Sequence, residues 1–332
     1  MIFKNNKTIA AIALAASILL TSCSSTDDTG GENTRRAPVS MTTAVTAITR
    51  SANADLQGNK LTPSAEVGIF AKNSDNVDAT AEDEWKNVSY IVQADASLAA
   101  SNQKDAIFYS LTSKPTHLYA YTPRIADAND LTAIQCNVKQ DQTSDADYIA
   151  SDLLISKAEN QSFTTSAVQL SFTHALSKVV VKLTPGTGMT LDDFKGAKVT
   201  IDMQGGNNTV NLKTQATSDF VSDGTRKTIT LHSFSADDIT AAKNNQQPLL
   251  TAVGIVNTQY TCTDGDKITL TMADGATFSH ALSTTLTLSP NTAYIFDFTV
   301  NNIGIVVNTS IKGWDWSDDN IYDGEFTRPG NE

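Results

Sequence analysis

The side chains that do most protein chemistry are dispersed in this chain. His117, His174, His232 and His280 stand far apart, without HxxxH or HxH spacing, so no zinc site is indicated. Asp315, Asp318, Asp319 and Asp323 are of the type that binds calcium, but their spacing lacks the glycine and closing glutamate of an EF-hand loop; they read as a solvated acidic turn. His174 sits in an apolar run with no serine or cysteine nucleophile motif and no acid close in sequence. A satisfied core histidine is therefore the better reading than a catalyst. Any chain with 36 Asp and Glu can hide a pair of hydrolytic carboxylates, so that count alone supports no hydrolase. No catalytic residue, cofactor or metal is assigned. Trp314 and Trp316 could stack on sugars, but one of them reads better as the plug at the end of the last strand.

One cysteine has a more specific context. Ile9 to Leu20 is an apolar run without charge, preceded by Lys4 and Lys7 and followed by Thr21-Ser22-Cys23. It is too short to span a bilayer, and a basic start, an apolar middle and small residues before a cut describe a secretory signal over residues 1–22. Ending the signal on cysteine resembles a bacterial lipobox. In that reading the Cys23 sulfur is acylated, Cys23 becomes the first mature residue, and lipid holds the protein to the membrane at about 0.8 kcal/mol per buried methylene.

Loss of Lys4 and Lys7 moves the formal charge from −12 to −14. An acidic chain without Lys/Arg clusters cannot supply the phosphate contacts that dominate nucleic-acid affinity, and that class is excluded. Cys136 and Cys262 fall in different halves of the chain and are read as free thiols.

The elements that must position these residues are nearly all short strands. Residues 24–38 are small, polar and glycine-rich, a tether. Residues 39–47 alternate, with Val39, Met41, Val45 and Ala47 on one side; a polar joint, Thr49-Arg50-Ser51, follows. Val67-Gly-Ile-Phe-Ala, Trp85 to Val92, Ala106-Ile-Phe-Tyr and Leu118-Tyr-Ala-Tyr-Thr are β-rich and separated by turn formers. Residues 127–147 read as loop. Leu170 to Leu183 carries apolar residues at even positions through Leu176 and at odd positions from Val179, so a bend is expected near Ser177-Lys178, where the strand crosses between packed surfaces. Gly205-Gly206-Asn207-Asn208 reads as a turn, Ser235 as the cap of one short helix, and Asp274-Gly275 as a hairpin. Tyr294 to Val300, Asn301-Asn302 and Ile303 to Ile311 read as a closing hairpin. The expected fold is all-β, antiparallel sandwiches, with domains at 51–185 and 186–332 divided near Pro185-Gly186 and residues 23–50 forming a tether and N-terminal strand.

The order of these segments resembles a Bacteroidetes fimbrillin of the Mfa-like group, subunits of type V pili. Val67-Gly-Ile-Phe-Ala, Tyr119-Ala-Tyr-Thr-Pro, Ser151-Asp-Leu-Leu, Leu170-x-Phe-x-His-Ala-Leu-x-Lys-Val, Asp274-Gly275 and Ile311-Lys-Gly-Trp314 carry the likeness, and Ser24-Ser-Thr-Asp-Asp resembles a surface-export signal. The resemblance implies two transthyretin-like β-sandwich domains and an outer-membrane, surface-exposed lipoprotein. It further implies cleavage after an arginine, which frees an N-terminal strand and opens a groove for a strand donated by another subunit. Arg50 is the expected cleavage site. Arg36 is the rival, but cutting there leaves the strand attached.

The expected function is thus a structural pilus subunit or fimbrillin-like adhesin, with other subunits, the membrane through lipid, and host or bacterial surface receptors as partners. The alternative is a monomeric surface glycan-binding lipoprotein of a polysaccharide-uptake system, which needs a tether but no removable strand.

Overall fold

Alternation at period two dominates the chain, and in a computed structural model it resolves into strands that share a few large cores. The structure describes residues 36–45, 61–78, 83–244, 250–314 and 322–325. In the first half the strands are β1 (Met41–Val45), β2 (Glu66–Asn73), β3 (Asp83–Val92) and β4 (Leu98–Ala100). They continue with β5 (Thr116–Thr122), β6 (Ile134–Gln135), β7 (Leu154–Gln161) and β8 (Val168–His174). The second half opens with β9 (Ser177–Pro185), β10 (Lys198–Asn207), β11 (Thr209–Asn211), β12 (Ala216–Thr217) and β13 (Val221–Thr230). Next come β14 (Leu250–Val256), β15 (Tyr260–Thr261), β16 (Lys267–Thr271) and β17 (Thr277–Ala281). The last are β18 (Thr287–Leu288), β19 (Thr292–Asn301), β20 (Gly304–Gly313) and β21 (Tyr322–Glu325).

Seven strands form the first sheet, in the order β1-β8-β7-β5-β2-β3-β4. Its inner face holds Val67, Ile69, Leu118, Leu170 and Phe172, all fully buried. In the second half a four-stranded sheet, β13-β10-β16-β17, packs on a five-stranded one, β14-β9-β19-β20-β21, with Val199, Ile201, Ile268 and Leu270 meeting Val181, Phe296 and Phe298. The fold is the expected all-β tandem sandwich. Two of its pairings, β1 with β8 and β9 with β19, are parallel, where antiparallel pairing was expected throughout.

The bend expected near Ser177-Lys178 is a change of sheet: β8 ends at His174, Ala175-Leu176 cross over, and β9 pairs only with β14 and β19. The sheet change therefore falls ahead of Pro185. The apolar phase shifts because β9 is buried on both faces. Val179, Val181 and Leu183 point into the second-half core, while Val180 joins a third cluster with Phe70, Tyr119, Ile155 and Ile295 that welds the halves together.

Smaller departures have local reasons. Gly205 and Gly206 lie inside β10 at a register shift between Gln204 and Gly206, a bulge where a turn was expected. Ala106 to Tyr109 is extended but pairs through a single bridge, Phe108 with Pro38, because its partner is the N-terminal run. Helix α1 (Asp145–Ser151) overlaps the expected loop; it is seven residues long and buries Tyr148, too short for a helical period to show. Helix α2 (Ala236–Asn244) starts as expected at Ser235, whose Oγ accepts from the Asp238 amide at 3.2 Å while the Asp238 carboxylate accepts from the Ser235 amide at 2.7 Å. The Asp274-Gly275 hairpin joins β16 to β17, with Gly275 at φ 90°, and Asn301-Asn302 joins β19 to β20.

Candidate functional site: the slot filled by the first strand

The alternating run that begins at Val39 is held on both sides. In parallel register, Met41 opposes Val168 and Val45 opposes Phe172 on β8, and the Val168 amide donates to the Ser40 carbonyl at 2.8 Å. On its other flank the run faces residues 96–109. The Val39 amide donates to the Ile107 carbonyl at 2.9 Å, the Tyr109 amide to the Ala37 carbonyl at 3.0 Å, and the Thr43 amide to the Ala96 carbonyl at 2.9 Å. An isolated bridge links Thr42 with Ser97, just ahead of β4. Strand β1 therefore closes the seven-stranded sheet on itself, joining the β8 edge to the β4 side.

Its inner face is apolar. Val39, Met41 and Val45 are at most 5% exposed, each burial stabilising by roughly 1.5–3 kcal/mol. Thr43 is buried too, and its hydroxyl donates to the Ala96 carbonyl at 3.2 Å. Without β1 the sheet would present two unpaired backbone edges flanking an apolar slot, the surface that β-augmentation fills.

Arg36 is exposed and directly precedes Ala37, whose carbonyl accepts from the Tyr109 amide. Arg50 follows the strand and lies outside the described residues, as do Cys23, the signal segment, Trp316 and the side chains of Asp315, Asp318, Asp319 and Asp323. Among the described residues no group of three or more His, Cys, Asp or Glu side chains is placed to hold a metal, and no helix is long and apolar enough to cross a membrane.

His174 is buried, and its Nδ1 lies 2.8 Å from Asp152 Oδ1, an acid that sequence proximity did not reveal. Both side chains are at most 2% exposed, and Trp314 covers the imidazole face, so the pair is closed to any substrate. Trp314 plugs the end of the last long strand, as expected. Cys136 and Cys262 are free and buried, and burial pushes each thiol up to about 12. His117 accepts from the Asn160 amide through Nδ1 and reaches the Ser74 carbonyl through Nε2, a structural role.

Sequence reading missed the buried polar side chains that tie loops to sheets. Gln142 mimics a strand residue: its Oε1 accepts from the Ile255 amide and its Nε2 donates to the Ile255 carbonyl, both at 2.8 Å. Asn208 does the same with Thr258. A buried amide leaves no mark on hydropathy periodicity, so no sequence signal finds them.

A family model described as fimbrillin-like matches residues 49–314. The chain belongs to the fimbrillin-like family. Two solved structures share the fold of this fimbrillin-like chain. One, a putative cell adhesion protein from Bacteroides uniformis, is 21% identical with a TM-score of 0.61 and covers 83% of this chain and 98% of its own. The other, a putative cell adhesion protein from Bacteroides ovatus, is 16% identical with a TM-score of 0.64 and covers 86% and 100%. Among curated proteins, none matches. The family is fimbrillin-like, and the fold is one it shares with these two proteins. The family match begins after β1.

Proposed function

We propose that this fimbrillin-like chain is a pilus or adhesin subunit that assembles by exchange of its first strand. The observation that carries the reading is β1 itself, which is bonded on both flanks and buried on one face, yet belongs to the run 23–50 that precedes the body. A strand of that kind stabilises the secreted monomer and blocks assembly while in place. Cutting after Arg50 leaves it held only by its ladders and side chains, so that a strand from another subunit displaces it. The cut removes Asp27, Asp28 and Glu32 together with Arg35, Arg36 and Arg50, so net charge is unchanged and electrostatics does not drive the exchange. Cys23 carries the lipid that holds the precursor on the outer membrane.

The test is assembly in cells. Arg50→Ala is expected to give a lipidated, protease-stable monomer that never enters SDS-resistant high-mass ladders, whereas Arg36→Ala assembles normally. Normal polymers from the Arg50 variant would sink the removable-strand reading. Cys23→Ala is expected to abolish lipid labelling and release the protein from the membrane.

A further inference from the structure

Strand β17 ends the four-stranded sheet, and the hairpin fixes which of its backbone groups face outward. The Met272 amide donates to the Ala276 carbonyl and the Leu282 amide to the Asp266 carbonyl, both at 2.8 Å, and β16 pairs with β17 in unbroken register between them. Hydrogen-bonded positions alternate along an antiparallel ladder, so Phe278 bonds to Leu270 and His280 to Ile268. Thr277, Ser279 and Ala281 therefore turn their N–H and C=O groups away from β16. Among the described residues no strand lies beyond β17 in that sheet. The same three side chains are exposed, while Phe278 and His280 face the core.

The other long edges of the second half are closed or charged. On β14, Val253 exchanges hydrogen bonds with His232, and the Gln142 side chain occupies both backbone groups of Ile255. Strand β20 carries β21 along residues 306–309. Strand β13 bears Asp223, Arg226 and Lys227 and is met at Thr230 by the backbone of Gln140 and Gln142. Charges, prolines and bulges are the devices that keep a sheet edge from pairing with another chain. The β17 run, Thr277-Phe-Ser-His-Ala281, has no Lys, Arg, Asp or Glu, no proline and no register shift.

We propose that β17 pairs antiparallel with β17 of a second copy, joining two chains through one continuous sheet across a twofold axis. Two features select a copy of this chain as the partner. The run matches itself: with Ser279 on the axis, Ser279 opposes Ser279 and Thr277 opposes Ala281, so every outward N–H meets an outward C=O. It is also uncharged. A chain of formal charge −12 repels its own copies over most of its surface, so they approach where charge is absent. The contact closes at two, because pairing consumes the edge on both copies.

The pairing does not depend on removal of β1, which belongs to another sheet, so it is tested with β1 in place and its failure leaves strand exchange standing. The experiment uses the whole mature chain, kept uncut and lipid-free by Arg50→Ala and Cys23→Ala; the remaining thiols, Cys136 and Cys262, are buried. Sedimentation velocity at rising protein concentration is expected to show a reversible monomer–dimer equilibrium. Ser279→Lys, which sets two ammonium groups opposite each other, is expected to weaken it at least tenfold. Ser279→Cys is expected to give a disulfide-linked dimer on mild oxidation, since opposed Cα atoms would lie about 5.5 Å apart, inside the roughly 4.4–6.8 Å that a disulfide spans. Thr277→Cys is expected not to crosslink alone, its two copies lying roughly 14 Å apart in this register, but to crosslink when combined with Ala281→Cys. These side chains are exposed, so each variant keeps the melting temperature of its parent. A monomer at every concentration, a dimer indifferent to Ser279→Lys, or crosslinking of Thr277→Cys as fast as that of Ser279→Cys overturns the proposal.

Discussion

The Trp314 indole lies flat on the His174 imidazole, ring centroids 3.8 Å apart and planes 14° apart, so the end of the last long strand is clamped to the end of β8 in the other half. Asp152 holds the imidazole from its edge at 2.8 Å, and the Lys178 ammonium sits 5.5 Å from the indole centroid on a side chain that is itself buried. Truncating the indole empties the centre of this joint. Trp314→Ala is expected to lower stability by about 3–5 kcal/mol in urea unfolding. Because the joint is shared, the single transition should separate into two; a variant that melts as one unit within a few degrees of the wild type would count against the clamp.

Sheet membership predicts where the chain can be divided. Strand β9 pairs with β14 on one side and β19 on the other, so a fragment starting at residue 186 loses the centre of its sheet. We expect fragment 176–332 to unfold cooperatively by circular dichroism and fragment 186–332 to show no cooperative transition. Cooperative unfolding of the shorter fragment would place the boundary at Pro185 instead.

Acid should weaken the second half through His280, which burial beside Phe296 and Phe298 pushes down to about 4. The sign follows from linkage. The unfolded chain takes up a proton near pH 6.5 that the folded chain refuses until about pH 4, so this contribution is fully present above pH 6.5 and is lost as pH falls between those values. The loss is on the order of 2–3 kcal/mol at pH 4. His280→Leu should flatten the difference in unfolding free energy between pH 7 and pH 4.5 relative to the wild type; an equally steep variant would remove His280 from the account.

Gly68 in the Val67-Gly-Ile-Phe-Ala strand is needed for a close approach. A Cβ there would lie 2.5 Å from Asn87 Oδ1 and 2.6 Å from the Tyr121 ring, whose hydroxyl donates to the same Asn87 oxygen at 2.8 Å. Gly68→Ala is expected to cost about 1–3 kcal/mol by overpacking, read as a shift in the denaturation midpoint without change in slope.

Both thiols should be silent in the native state. With Cys136 and Cys262 buried and their thiols held up at about 12, a disulfide reagent at pH 8 should label neither until denaturant is added. Stoichiometric labelling of folded protein would contradict the burial.

Much of this molecule was legible in the order of residues, because local physics writes it there. Period-two alternation marked β1, β8, β10 and β19; the Asp274-Gly275 and Asn301-Asn302 turns need only their own backbone conformations; and Ser235 caps α2 through neighbours three residues away. Local pattern also announced a bend near Ser177-Lys178 in the run Leu170 to Leu183, though it read the run as one strand where the structure has two, β8 and β9. It could not say that β9 is buried on both faces, because a continuous apolar run is equally consistent with other placements until the partner strands are known. Contacts between distant positions belonged to the tertiary structure alone. Asp152 meets His174 across 22 residues, Gln142 meets Ile255 across 113, and β1 is pinned between β8 and residues 96–109. Such pairings arise from how sheets close and stack, and a polar side chain carries no sequence mark of the backbone group it will satisfy once water is excluded.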